Sequence, residues 1–244
     1  MSVWPALLGG AAVAGGAAAW AAGHPSSQLF GRTLTRISSP AAIALTFDDG
    51  PNPAVTPLLL DTLERHRVRA TFFLIGRWVR ACNSIAADIA AHGHTIGNHT
   101  DTHPNTIWLP TRDIVEELRR CQDAVAKAGA PAPALTRPPW GFRGPQFNAA
   151  VERSGLKRVV MWSLMGRDWS PRGKRHLIAR LQRVRGGDIV VLHDGDHAAD
   201  RADRRETVRA LEHWLPRWRD AGLQCVALQP DLENDDQRRT RRSR

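Results

Sequence analysis

The sequence predicts an α/β fold around a parallel sheet, and three observations lead there. From Ser38 onward, short β-rich apolar runs alternate with longer amphipathic ones. Strict alternation of strands and helices implies right-handed crossovers and a parallel sheet, either closed into a barrel or open and doubly wound. No internal repeat or second domain is visible. The unusual polar residues fall at the C-terminal ends of the predicted strands, the face on which a β/α barrel collects its chemistry.

Taken in order, Ile43–Phe47 is the first predicted strand, an apolar run stopped by Asp48-Asp49-Gly50-Pro51. Pro57–His66, with Leu58, Leu59, Leu60 and Leu63, reads as a helix, and Ala70–Ile75 as the second strand, closed by Gly76. A helix over Ile85–His92 ends at Gly93, a residue suited to a left-handed cap, and His94–Asn98 is a short third strand. Thr111 offers an N-cap to a helix in which Ile114, Val115, Leu118, Cys121 and Val125 recur at helical spacing up to Gly129. Pro131 and Pro133 forbid its continuation. Leu135–Arg137 is the fourth strand, Phe147–Arg153 a helix stopped at Gly155, and Lys157–Leu164 the fifth strand. A helix near Lys174–Val184 leads through Gly186-Gly187 to the sixth strand, Asp188–Leu192. The Arg204–Asp220 helix leads through Gly222 to the seventh, Leu223–Leu228.

The flanks differ from this middle. Residues 1–37 form an apolar N-terminal segment and linker, 38–230 the domain, and 231–244 a charged tail without an apolar stripe, expected to be disordered. The first thirty residues carry no Lys, Arg, Asp or Glu, and residues 3–22 are long enough to span a bilayer. We read them as a membrane anchor or uncleaved signal, which implies membrane association and a cell-envelope location. A cleaved signal and a cytoplasmic helical extension are the alternatives. Arg32 and Arg36 would favour a domain kept inside.

An excess of 34 Lys+Arg over 24 Asp+Glu gives a net charge of +10 and suits anionic neighbours. Most of it is scattered arginine and its densest run, Arg238–Arg244, lies in the tail, so it reads as solvated surface and no nucleic-acid partner is expected. Oligomeric state is not legible. Cys82, Cys121 and Cys225 form no CxxC pattern and read as buried thiols, with a Cys82–Cys121 bridge open to an exported protein.

Adjacent carboxylates at Asp48 and Asp49 repel unless each has its own partner, and alternation along a strand points them in different directions. One could hold a cation while the other handles protons. His99-Thr-Asp-Thr-His103 sets two imidazoles four residues apart, on one side of a turn. With one carboxylate they make a ligand set for a divalent metal that leaves positions open to water.

Together, Thr46-Phe-Asp-Asp-Gly-Pro51, the His99–His103 motif, Arg137-Pro-Pro-Trp-Gly141, Asp168-Trp169 and Leu192-His193 resemble the five ordered motifs of the polysaccharide deacetylases. This is carbohydrate esterase family four, or the NodB homology domain, and the resemblance runs from about Ala41 to Leu228. It implies a distorted (β/α)7 barrel, a single catalytic domain. It also implies one divalent metal ion, zinc ahead of cobalt, manganese or iron, bound by Asp49, His99 and His103. Asp48 would be the general base toward the attacking water. The backbone N–H of Trp140 would help hold the oxyanion, and His193 would protonate the departing amine. Arg137 would orient Asp48 and keep it ionised, and Asp168 would raise the basicity of His193.

The implied reaction is N-deacetylation of a glycan containing N-acetylglucosamine, chitin oligosaccharide or peptidoglycan, to free amine and acetate. Hydrolysis of a small non-sugar amide on the same scaffold is the alternative. A silent glycan-binding domain would not need the full residue set, and an iron oxygenase would not need Asp48, Arg137 or the Asp168–His193 pair. Plainer readings also exist: Asp49 as a turn cap, Arg137 as a surface charge, Asp168 as a helix-start residue, His193 as a core histidine. Trp140 and Trp169 are assigned to a sugar-stacking wall, while Trp162 fits core or wall. Asp101 adds a charge beside the metal loop, and Trp140 is a large aromatic that would narrow the groove.

Overall fold

A computed structural model describes residues 15–170 and 173–231 of the chain. The apolar residues 3–14 and the tail from 232 onward lie outside the described residues. Residues 15–23 are helical (α1). There follow β1 (Thr33–Leu34), β2 (Ala42–Gly50), α2 (Thr56–Arg65), β3 (Thr71–Leu74), α3 (Gly76–Ala81), α4 (Asn83–Ala91), β4 (Thr95–Asn98) and α5 (Thr111–Lys127). The second half contains β5 (Leu135–Thr136), α6 (Pro145–Arg153), β6 (Arg158–Val160), β7 (Leu164–Met165), α7 (Gly173–Leu181), β8 (Ile189–His193), α8 (Arg205–Asp220) and β9 (Gln224–Val226).

The strands form one parallel sheet in the order β1-β6-β5-β4-β3-β2-β8-β7, with β9 also on β2. All nine residues of β2 are buried: Ile43, Leu45 and Phe47 pack with α2 and α8 residues on one face, while Ala42 and Ala44 pack with residues of other strands on the other. One edge of β2 is taken by β8, along Ala44–Asp48. The other is shared, β9 against Ala42–Ala44 and β3 against Thr46–Gly50.

Only Met161, Trp162 and Ser163 separate β6 from β7, so these strands, far apart in the pairing order, stand within roughly 14 Å of each other. Ile37 N–H donates to Gly187 O at 2.9 Å, and Arg36 bridges Asp188, tying the chain after β1 to the start of β8. The sheet therefore curls into a distorted half-barrel, closed by chain continuity and an N-terminal strap instead of a complete ladder. This is the expected fold class.

Several local expectations are corrected. The predicted fifth strand, Lys157–Leu164, is two strands, because the chain turns from one side of the barrel to the other at Trp162-Ser163. Thr111 is not an N-cap: Pro110 holds that position, and no side chain caps the helix. The α5 stripe does face inward, with Ile114, Leu118, Cys121, Ala124 and Val125 buried. Thr33–Leu34 adds a strand from the segment assigned to the linker, and α3 was not foreseen. All three cysteines are free, so Cys82 and Cys121 are not bridged.

The end of the apolar N-terminal stretch packs on the protein. Ala21 is buried, and Ala22 O accepts from Arg143 N–H at 3.0 Å. Among the described residues no helix is long and apolar enough to cross a membrane.

Candidate active site and metal centre

Every predicted site residue except Arg137 and Asp168 lines one cavity of about 290 Å³ at the C-terminal mouth of the strands. Those two stand directly behind it, hydrogen-bonded to Asp48 and His193. The arrangement starts at the end of β2, which runs through the motif to Gly50. Asp49 has φ 71°, and the register against β3 shifts between Asp48 and Gly50. On a flat strand the two carboxylates would face opposite sides, but this left-handed kink brings both to the same cavity. The expectation that they point apart is thereby corrected.

Thr100, His103 and Trp140 also have positive φ, at 66°, 61° and 61°. Such backbone is costly for residues other than glycine, on the order of 1–3 kcal/mol each, and persists only where surroundings impose it. At the histidine loop they do. Asn98 Oδ1 accepts from Thr100 N–H at 2.8 Å, Thr100 O accepts from Gly76 N–H, and Thr100 Oγ1 accepts from His103 N–H at 3.1 Å.

Asp49, His99 and His103 are buried, and one ligand atom from each lies within 4.8 Å of the others. Asp49 Oδ1 is 3.4 Å from His99 Nε2 and 3.4 Å from His103 Nε2, yet has no hydrogen-bond partner among the described residues. His99 Nδ1 is 2.8 Å from Arg137 O and donates to that carbonyl, which leaves Nε2 to face Asp49. Burial first, and then His99, push His103 down to about 3, so at neutral pH it brings no proton. Burial works to raise the Asp49 carboxyl, but the facing His99 ring outweighs it and holds the group well below the usual carboxylate range. Two imidazole nitrogens and a carboxylate oxygen converging in this way suit a divalent cation, so the residues fit the group that the sequence implied.

On the second wall, Asp48 Oδ1 accepts from Arg137 Nη1 at 2.6 Å, with the arginine fully buried. The same guanidinium donates to Thr46 Oγ1 at 2.8 Å, Val160 O at 3.2 Å and Met161 O at 3.0 Å, and lies over the Phe73 ring. Arg137 is no surface charge. Its donors take carbonyls at the seam where the chain leaves β6.

On the third wall, beside Asp48 across the β2–β8 ladder, is His193. Its Nδ1 is 2.8 Å from Asp168 Oδ1, and its backbone N–H donates to Asp168 Oδ2 at 2.7 Å. Thr207 Oγ1 donates to the same Oδ2 at 2.8 Å. Burial pulls the imidazole down, but the Asp168 charge and hydrogen bond outweigh it, and His193 is raised to about 9. Burial would likewise raise Asp168, while His193 holds it lowered. The cavity thus sets a carboxyl group paired with a permanent cation beside an imidazole that keeps its proton at pH 7.

Aromatic rings form the rest of the wall. Trp140 and Trp169 are half-exposed at 49% and 45%, and Trp162, left open between core and wall, also lines the cavity. The Asp101 charge is neutralised by two hydrogen bonds from Arg80, at 2.6 and 3.0 Å.

Three residues that sequence reasoning passed over also stand here. His197 lines the cavity against His103 and Trp140. Asp194 is fully buried beside Asp48 and Asp49, accepts from the Thr56 hydroxyl, and is pushed up to about 7 by burial. Buried Arg143 donates to His24 O and Ser27 O, pinning the segment after α1 to the loop that carries Trp140. Asp194 adjoins the His193 motif and could have been suspected. His197 and Arg143 had no motif to mark them.

Comparison with known proteins finds relatives in both sequence and structure. The polysaccharide deacetylase family profile matches residues 36–159. A chitooligosaccharide deacetylase from Bradyrhizobium sp. is 36% identical over 205 residues, covering 81% of this chain and 93% of its own. A peptidoglycan-N-acetylglucosamine deacetylase from Bacillus cereus is 33% identical, covering 76% of this chain and 85% of its own. Among solved structures, a family 4 carbohydrate esterase from Streptomyces lividans in complex with acetate superposes with a TM-score of 0.70 at 27% identity, covering 80% of this chain and 95% of that one.

Proposed function

We propose a substrate and a division of labour from one premise: the chain belongs to the polysaccharide deacetylase family and is a hydrolase of acetamide carbon–nitrogen bonds. The substrate is the N-acetyl group of an N-acetylglucosamine-containing glycan, a chitin oligosaccharide or peptidoglycan, and the products are acetate and a free amine. One observation carries the reading. Three convergent ligand atoms, an Asp48 paired with Arg137 and a His193 raised to about 9 by Asp168 face one aromatic-walled cavity.

Asp49, His99 and His103 would hold one divalent ion, zinc first among the metals that accept this nitrogen and oxygen set. When bound, such an ion supplies Lewis acidity and lowers the pKa of water to about 7. Asp48, oriented by its hydrogen bond from Arg137, takes the proton of the attacking water. As the water oxygen bonds to the acetamide carbon, the Trp140 backbone N–H donates to the carbonyl oxygen that gains charge. His193, with Nδ1 engaged by Asp168, donates a proton from Nε2 to the nitrogen as the C–N bond breaks. Trp140, Trp162 and Trp169 offer faces against which the apolar side of a sugar ring stacks.

The two relatives named for chitooligosaccharide and peptidoglycan deacetylation support the glycan. We also place the protein in the cell envelope, with its apolar N-terminus at a membrane, to be checked by fractionation.

The deciding experiment measures acetate released from chito-oligosaccharides, peptidoglycan fragments and simple acetamides, with and without a chelator. We expect chelator-sensitive release from the glycans. Equal turnover of small acetamides would favour the non-sugar reading, and chelator-resistant turnover would remove the metal. His103→Ala should lose bound metal and activity together.

A further inference from the structure

We propose that His197 is a positioning residue for His103, fixing that imidazole by ring stacking where a hydrogen bond would ordinarily do so. The inference rests on the metal-site reading above and concerns only how one of its ligands is held.

The two histidines of the loop are supported differently. His99 is oriented by its Nδ1 hydrogen bond to Arg137 O, the usual arrangement for a ligating imidazole. His103 has no such support: its Nδ1 is buried and without a hydrogen-bond partner among the described residues. A ring free to turn about its last side-chain bond would lose its aim at Asp49, so packing must supply the restraint.

Three rings surround His103. The edges of His99 and Trp140 meet it at centroid distances of 4.9 Å, with interplanar angles of 62° and 66°. The remaining ring, His197, lies nearly parallel to it, at 4.7 Å and 25°. His197 in turn packs edge-on against Trp140 at 4.4 Å and 70°. A parallel plate on one face with edges at the sides restrains rotation as a hydrogen bond to Nδ1 would.

The plate itself is held. Arg77 donates to His197 O, and Trp78 Nε1 donates to Asp196 O at 3.1 Å, both from α3. Arg204 donates through Nε to Gly195 O at 2.9 Å and through Nη2 to Asp196 Oδ2 at 2.7 Å. The backbone of 195–197 is thus pinned from two sides, whereas the His197 side chain makes no hydrogen bond among the described residues, its Nδ1 standing 3.9 Å from Asp196 Oδ1, and is 35% exposed. Its work here is that of a flat ring.

The test is zinc affinity by chelator competition in the full chain, comparing wild type with His197→Ala, His197→Phe and His103→Ala. His197→Ala should bind zinc about tenfold more weakly, the scale of a lost supporting contact. His197→Phe, which keeps the plate and loses the ring nitrogens, should return to within about twofold of wild type. Thermal melts of the metal-free proteins should coincide. Wild-type affinity in His197→Ala overturns the inference, as does equal weakening in His197→Phe. So does a metal-free His197→Ala melt well below wild type, which would assign the stack to folding alone. Failure of the site reading looks different: wild type would take up no stoichiometric zinc, or His103→Ala would keep it.

Discussion

Two carboxylate–cation pairs flank the cavity, alike in geometry and different in what they can do. Asp48–Arg137 is 2.6 Å long and Asp168–His193 is 2.8 Å. In the first the cation is a guanidinium, which does not give up its proton at any working pH, so the carboxylate faces a permanent charge. In the second the cation is an imidazole, and the carboxylate behind it makes the proton harder to lose without making it permanent. One pair therefore leaves its anion available as a proton acceptor. The other leaves its cation available as a proton donor. The assignment of base and acid comes from the partners, since both anions are aspartates with buried side chains.

The largest expected effect is from Asp48→Asn, which removes the acceptor and keeps its shape. Acetate release should fall by about 10³–10⁴, with zinc still bound by competition assay. Arg137→Met tests whether the cation can be dispensed with. It strips the partner from a buried carboxylate and frees the Val160 and Met161 carbonyls, so urea unfolding should show a loss of about 3–5 kcal/mol, with activity falling as well. An undiminished midpoint would mean that the pair is not a structural element. His193→Ala should lower kcat by about 10²-fold with KM little changed, as expected when a proton donor is lost and binding is not.

Asp168→Asn sharpens the contrast most finely. His193, raised to about 9, should fall toward its ordinary 6.5, and the alkaline limb of the pH–rate profile should move down with it. Stability follows the same sign. The pair stabilises the fold fully below about 6.5 and loses that contribution as pH rises through about 9, so wild type and Asp168→Asn should converge in melting temperature across that interval.

What the sequence made legible follows from where local chemistry decides structure. The strand and helix alternation could be read because buried parallel strands are near-continuous apolar runs. Ile43–Phe47 and Ile189–Leu192 announce themselves in this way. The site motifs could be read because a family resemblance orders them. What failed depended on three-dimensional context. Asp48-Asp49-Gly50 reads as a turn, and only the pairing with β3 and β8 keeps it in the strand. The turn at Trp162-Ser163 is invisible in an apolar run, since barrel closure and not local propensity breaks it. His197, one of ten histidines, has no neighbour in sequence that marks it. It matters only because the loop pinned by Arg77, Trp78 and Arg204 folds back over His103.

The central place of β2 has a consequence for how the molecule comes apart. β3, β8 and β9 all pair with it, and both aspartates of the site sit at its end. No frayed edge or loosened loop can release those carboxylates, because freeing them means parting the middle of the sheet. The amides of Ala44–Asp48 should therefore exchange with solvent only when the whole domain opens. Catalytic competence and global cooperativity are then lost in the same event, and an active site of this kind is its own gauge of whether the protein is folded.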